Sequence, residues 1–160
     1  MAGATLPGIE RLYRARYRVF VRVALAITRD DELAAEAVQE AFLRAIRGRR
    51  RFRGTGSLEA WVWRTVVNEA KRLAARRPNV VTERIEAAGN GSADEEAALR
   101  SLIGALPERQ RLAVFLRYYA DLDYRAIGEV LEVKTGTVSA MLNAAHGSLR
   151  DAIHIQGARS

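Results

Sequence analysis

Between Tyr124 and Leu142 the apolar residues are spaced so that the backbone has few options. Ile127 and Leu131 lie four apart, Val133 follows in a short turn, and Val138, Met141, Leu142 and Ala145 recur at i, i+3, i+4 and i+7. That spacing gathers side chains on one face of an α-helix. Two short helices are therefore expected to pack across a turn at Glu132 to Lys134, with Thr135 capping the second by offering its hydroxyl to unpaired backbone N–H groups. This is the pattern of a helix-turn-helix, whose second helix can enter the major groove of DNA. A plain helical hairpin in an all-α core would carry the same stripes, so the choice between the two falls to the rest of the chain.

The 160 residues, 49% of them apolar, suffice for one ordinary domain or two small ones with buried cores. No apolar run approaches the roughly 18 residues of a spanning helix. The start, Met1-Ala-Gly-Ala-Thr-Leu-Pro, lacks a basic stretch followed by an apolar block. A soluble cytoplasmic chain with no membrane segment of its own is expected. The absence of cysteine excludes disulfides and thiolate metal sites, and His146 and His154 alone leave little for an imidazole site. No metal and no cofactor is expected.

A formal charge of +7 suggests a polyanionic partner, and its distribution says more than its sum. Lys and Arg against Asp and Glu number 17 to 8 over residues 1–77, 2 to 5 over 78–107, and 7 to 6 over 108–160. The basic surface therefore belongs to the N-terminal half. Ordinary solubility charge would account for much of it, but Arg49, Arg50, Arg51 and Arg53 crowd together, and their mutual repulsion calls for an anion.

In chain order, Ile9, Leu12, Tyr13, Tyr17, Phe20, Val21 and Leu25 predict an amphipathic helix from Ile9 to Thr28. Asp30 or Asp31 is placed to cap a second helix with a core stripe of Leu33, Ala37, Val38, Ala41, Phe42 and Ala45, stopped by Gly48. The opposite face carries Glu36, Gln39, Glu40 and Leu43. Glu36 and Glu40 could be read as a carboxylate pair for metal or acid–base work, but no His or further carboxylate accompanies them, and a solvated or partner-binding face is expected instead.

From Gly48 to Ser57 the glycines predict a basic loop, with Ser57 capping a third helix that runs to Arg76. Leu58, Val62, Val66 and Leu73 point inward, while Trp61, Arg64, Asn68 and Lys71 or Arg72 follow one another on another side. Aromatic rings interleaved with cations suit single-stranded nucleic acid, because bases stack on rings and cations meet phosphates. Burial of Trp61 and Trp63 against neighbouring helices is the plainer alternative. Residues 77–95, with Pro78 and Gly89-Asn-Gly-Ser92, break all periodicity and read as a flexible interdomain linker. Beyond it, Leu99, Leu102, Ile103 and Leu106 form another stripe, Pro107 opens a new helix, and Leu112, Phe115, Leu116 and Tyr119 repeat the spacing. No strand-like alternation occurs anywhere.

Together these segments resemble a known family. Leu106-Pro-Glu-Arg-Gln-Arg-Leu-Ala-Val-Phe-Leu-Arg-Tyr, Tyr124-Arg-Ala-Ile-Gly-Glu-Val-Leu and Gly136-Thr-Val look like region 4 of bacterial sigma factors of the extracytoplasmic-function group. Glu36-Ala-Val-Gln-Glu-Ala-Phe-Leu is similar to the region 2 helix that binds the clamp helices of the largest catalytic subunit of RNA polymerase. Phe52-Arg-Gly-Thr-Gly-Ser-Leu-Glu-Ala-Trp-Val-Trp-Arg, followed by Asn68, resembles the loop and helix that open promoter DNA at the minus-10 element. The resemblance implies an all-α protein of two small helical domains. One is a region 2-like bundle over 9–76; the other, after the 77–95 linker, is a region 4-like helix-turn-helix domain over 96–153.

The same resemblance implies roles. Glu36, Gln39, Glu40 and Leu43 would dock on core polymerase. Arg49, Arg50, Arg51, Arg53, Thr55, Trp61, Arg64, Asn68, Lys71 and Arg72 would meet the minus-10 element. Lys134, Thr135, Thr137, Ser139, Ala140 and Asn143 would approach the minus-35 element. Promoter DNA, core polymerase and an anti-sigma factor would be the partners, with no catalytic residue in the chain. The sequence departs from the family in two informative places. Arg72 stands where an Asp is usual, and Ser139-Ala-Met-Leu-Asn-Ala-Ala-His146 carries none of the usual Lys or Arg, which predicts a weak hold on the upstream element. The short ends suggest no extra regulatory domain. Two rivals are a stand-alone helix-turn-helix regulator, which would leave the aromatic and basic half without a task, and a DNA-processing enzyme, for which no nucleophile or acidic metal triad is legible.

Overall fold

The computed structural model describes residues 4–54, 56–76 and 93–157, and every regular element among them is helical. The first helix, α1 (Leu6–Thr28), starts ahead of the expected Ile9 for a local reason. The Thr5 hydroxyl accepts the Gly8 N–H at 3.1 Å, and Pro7 sits in the first turn, where its missing N–H costs nothing. At the other end Arg29 turns left-handed, its N–H closing on the Leu25 carbonyl at 2.8 Å. Asp30 then caps α2 (Asp31–Gly48) by accepting the Leu33 N–H at 3.0 Å, and Asp31 and Glu32 add negative charge to the positive helix end. Arg49–Arg51 form a 3-10 turn, and α3 (Leu58–Arg76) begins where Ser57 Oγ accepts the Ala60 N–H at 3.0 Å.

These three helices enclose one core. Phe20 of α1 stacks at 4.1 Å on Trp63 of α3 and meets Phe42 of α2 edge-on at 5.2 Å, all three being buried with Val23, Val38 and Val66. Burying aromatics of this size dominates the stability of a small bundle.

The second group is α4 (Ala93–Gly104), α5 (Glu108–Tyr118), α6 (Tyr124–Leu131) and α7 (Thr135–Gly157). Leu112, Leu116, Ile127, Val138, Leu142 and Ala145 are buried as the stripes predict. Leu99 and Tyr119 are the exceptions, 47% and 42% exposed: the stripe that starts at Leu99 buries Leu106 but not its first member, and the stripe that starts at Leu112 leaves its last member on the surface. Of the expected linker, 77–92 lie outside the described residues, and Ala93 to Glu95 already belong to α4.

The turn between α6 and α7 is tight. Glu132 caps α6 in the left-handed region (φ 58°), and the Val133 N–H bonds the Gly128 carbonyl at 2.9 Å. A Cβ at Gly128 would lie 2.8 Å from the Val133 carbonyl oxygen, so glycine is required there by backbone proximity. The expected cap moves by one residue: Thr135 is the first helical residue, and the Lys134 carbonyl accepts the N–H groups of Thr137 and Val138. The two groups also pack on each other, α3 against α6 and α1 against α5. Arg16 of α1 donates to the Ala120 carbonyl and ion-pairs with Glu59 at 3.2 Å, while the Arg22 guanidinium lies 5.7 Å from the centre of the Tyr119 ring.

Candidate nucleic-acid interface

The third helix sorts its two tryptophans by register. Trp63 faces α1 and is fully buried, whereas Trp61 is half-buried, its ring tilted against Phe52 at 5.5 Å. Trp61 thus sits on the wall of the basic loop with one side accessible, and Arg64, Asn68 and Lys71 continue its line as exposed side chains. Of the arginine cluster, Arg50, Arg51 and Arg53 are exposed. Arg49 is half-buried and bends back to donate to the Ile46 carbonyl at 2.7 Å. Thr55 lies outside the described residues.

Arg72 has a different employment. Its guanidinium donates twice to Oε2 of Glu69, at 2.8 and 3.0 Å, and Glu69 is buried although it carries a carboxylate. The hydrogen bond and the charge of Glu69 raise the Arg72 pKa above its ordinary value. Arg44 of α2 completes the set, 2.8 Å from Glu69 Oε1 and 3.6 Å from Glu40. A buried carboxylate held by two guanidiniums braces α2 against α3. The unusual Arg72 is explained by this brace, which leaves its charge partly satisfied before any DNA arrives.

On α2, Glu36, Gln39 and Leu43 are exposed and Glu40 is half-exposed, so the four share an outward face. Gln39 and Leu43 also line a mainly apolar groove of about 550 Å³, with Leu6, Ile9, Tyr13, Phe42, Ile46 and the charged Glu10. The groove is not legible in the sequence, because Leu6 precedes the stripe that starts at Ile9 and Leu43 reads as one apolar residue among polar ones; packing leaves both nearly half exposed side by side.

On the helix-turn-helix, Lys134, Thr135, Thr137, Ala140 and Asn143 are exposed and Ser139 is half-buried, all from the turn and the first part of α7. His146, further along, is occupied by a 2.7 Å hydrogen bond with the Tyr118 hydroxyl that ties α7 to α5.

The two sets of expected DNA contacts meet. Arg51, Arg53, Trp61 and Arg64 line one wall of a cleft of about 820 Å³, and Lys134 and Thr135 line the other. Arg125, Glu129 and Glu132 complete the second wall. None of these three stood out in the sequence, since each is a single charge on a short helix or turn. Arg64 forms an ion pair with Glu132, and Arg125 lies 3.9 Å from Glu129. Among the described residues no cluster of His, Asp or Glu could hold a metal ion, and no helix is long and apolar enough to cross a membrane.

Comparison with known proteins finds two family models in the chain, Sigma-70 region 2 over residues 12–78 and Sigma-70, region 4 over residues 96–145. The RNA polymerase sigma-H factor of Pseudomonas aeruginosa is 29% identical, with 91% of each chain covered. The ECF RNA polymerase sigma factor SigM of Mycobacterium tuberculosis is 30% identical over 88% of this chain and 74% of its own. In structure, the sigma factor RpoE of Bartonella quintana, solved with the anti-sigma factor NepR, superimposes with a TM-score of 0.72 at 20% identity over 91% of this chain and 98% of its own.

Proposed function

The chain belongs to the extracytoplasmic-function group of the sigma-70 family and is a promoter-specificity subunit, and on that footing we propose how its residues divide the work. The face of α2 with Glu36, Gln39, Glu40 and Leu43 docks on the clamp helices of core RNA polymerase. The loop arginines and the Trp61 face capture the unpaired strand of the minus-10 element: cations position the backbone, and the ring offers a surface on which a flipped or unstacked base can lie. Lys134, Thr135, Thr137, Ser139, Ala140 and Asn143 approach the minus-35 element through short polar and methyl contacts, which read bases while neutralising few phosphates. The chain recognises and helps to open DNA in the cytoplasm, and the polymerase performs the chemistry.

The observation that carries this division is the sorting of the tryptophans. One ring holds the core, and the other stays accessible among exposed cations. A helix serving only as a scaffold gains little from leaving half an indole in water. The reading extends to an anti-sigma partner, because the RpoE relative was solved with one. The groove at Leu43 offers a mainly apolar surface that such a partner would cover.

Reconstituted transcription tests the proposal. Core polymerase, a promoter library and the purified chain should give transcripts that start at a defined set of promoters and vanish when the chain is omitted. Sequence-specific DNA binding as a dimer, with no association with core polymerase, would instead favour the stand-alone regulator.

A further inference from the structure

Glu69 is only 5% exposed, and the division of work proposed above leaves it without a task. A carboxylate in such a place costs free energy unless it serves a partner. Its Oε1 lies 2.8 Å from Nε of Arg44 on α2, and its Oε2 accepts from Nε and Nη2 of Arg72 at 3.0 and 2.8 Å. Held at both oxygens, the carboxylate has little freedom to turn, and it fixes the plane of the Arg72 guanidinium. The bonds to Glu69 use the Nε–Nη2 edge. The Nη1–Nη2 edge lies outside that contact, on a side chain that is 37% exposed, and forms a fork of two donors with a set direction.

The charge around this fork favours one class of ligand. Glu69 acts most strongly on Arg72, followed by Glu40 and Glu36, and all three raise its pKa. With Arg44 counted, three carboxylates stand against two guanidiniums, so the site offers a phosphate no net positive charge. Lys71, the exposed neighbour in sequence, suits a phosphate better. Two directed donors with little net charge match a neutral pair of acceptors, and among the bases guanine presents such a pair in O6 and N7. Arg72 is also in register with the ring assigned to stacking. Trp61, Asn68 and Arg72 fall within about 20° of one line along α3, and Arg72 follows Trp61 by about 16 Å at about 1.5 Å per residue.

We propose that Arg72 selects a guanine in the opened strand, and that buried Glu69 is the positioning residue that aims it. The proposal rests on the reading above that α3 meets the unpaired strand. Because a stacked strand advances by about 3.4 Å per nucleotide, the selected guanine lies no more than about five nucleotides from the base on Trp61.

The test uses holoenzyme reconstituted from core polymerase and the full chain, a promoter library randomised through the minus-10 element, and sequencing of the transcribed members. The wild type should favour guanine at one position by about tenfold over the other bases. Arg72→Lys keeps the charge but loses the fork, and should flatten the preference there while the other positions keep theirs. Glu69→Gln should weaken the preference at the same position, with circular dichroism checking that the variant is folded. A purely structural Glu69 would instead lower transcription from all library members alike. Replacing the selected guanine by 7-deazaguanine removes only N7 and needs no protein variant. It should slow open-complex formation by the wild type about tenfold and cost Arg72→Lys nothing further. The proposal is overturned if Arg72→Lys leaves the preference unchanged, if it lowers every promoter uniformly as loss of a phosphate contact would, or if the wild type tolerates 7-deazaguanine. Failure of the underlying reading looks different. Trp61→Ala and Asn68→Ala would then leave strand opening intact, whereas with that reading sound they impair it whatever Arg72 does.

Discussion

Replacing Trp63 by alanine removes a fully buried ring that stacks on Phe20, and chemical denaturation should show a loss of about 3–5 kcal/mol. The same change at Trp61 removes a half-buried ring and should cost far less stability, yet it should weaken capture of single-stranded DNA by about 1–3 kcal/mol. If the two variants lose stability and strand capture in equal proportion, the division of labour between them is wrong. The difference was only half legible in the sequence. Register on α3 set Trp61 beside Arg64 and Asn68, but whether Phe20 or Phe42 would reach Trp63 depends on how three helices cross. The brace around Glu69 was not legible at all. Glu69 and Arg72 are neighbours on one helix, but Arg44 comes from another, and a buried carboxylate looks like any other until its partners are seen. Glu69→Gln should destabilise the protein by about 1–3 kcal/mol, since hydrogen bonds to charged groups are lost in a buried place.

Among the helices, α7 is the one whose charge departs most from its task. Its exposed positions in the first turns are Thr135, Gly136, Thr137, Ala140, Asn143 and Ala144, and Met141 is half-buried against the core. A cation introduced at Ala144 has room, and Ala144→Arg should tighten binding to the upstream element and steepen its log–log salt dependence by about 1. An unchanged slope, with binding isotherms measured at several salt concentrations, would mean that this face of α7 does not lie on DNA. Reversing Glu36 and Glu40 to Lys on α2 should abolish association with core polymerase while leaving the far-ultraviolet circular dichroism intact. Normal holoenzyme assembly by that variant would move the docking face elsewhere. Helix positions followed from the apolar stripes, because a stripe records which face packs. Helix ends followed less well: α1 begins at Thr5's cap rather than at the first apolar residue of the stripe, and α7 takes its cap from the Lys134 backbone.

For the whole molecule, the concentration of basic charge in the N-terminal half and the feeble charge of α7 point to division of affinity between the two ends. Residues 96–160 in isolation should bind an upstream-element duplex at least about a hundredfold more weakly than the holoenzyme binds the same promoter, because tethering to the other half supplies the effective concentration. Fluorescence anisotropy at physiological salt checks this, and a tight, sequence-specific complex would show that short polar side chains suffice. The packing of the two halves on each other could not be read from the chain. Arg64 and Glu132, or Arg16 and Ala120, are far apart in sequence, and nothing in local periodicity announces that they meet.

The N–H of Ala4 donates to the carbonyl of Arg49 at 2.9 Å, which ties the segment just before α1 to the turn that carries the arginine cluster. In the laboratory this becomes a rule of handling. A purification tag or fluorescent fusion joined at the amino end hangs its bulk on the very segment that steadies the arginine-bearing turn proposed above to meet DNA. Such a fusion should lower DNA affinity even though its attachment point touches no nucleotide, while the same tag placed after α7 leaves that turn alone.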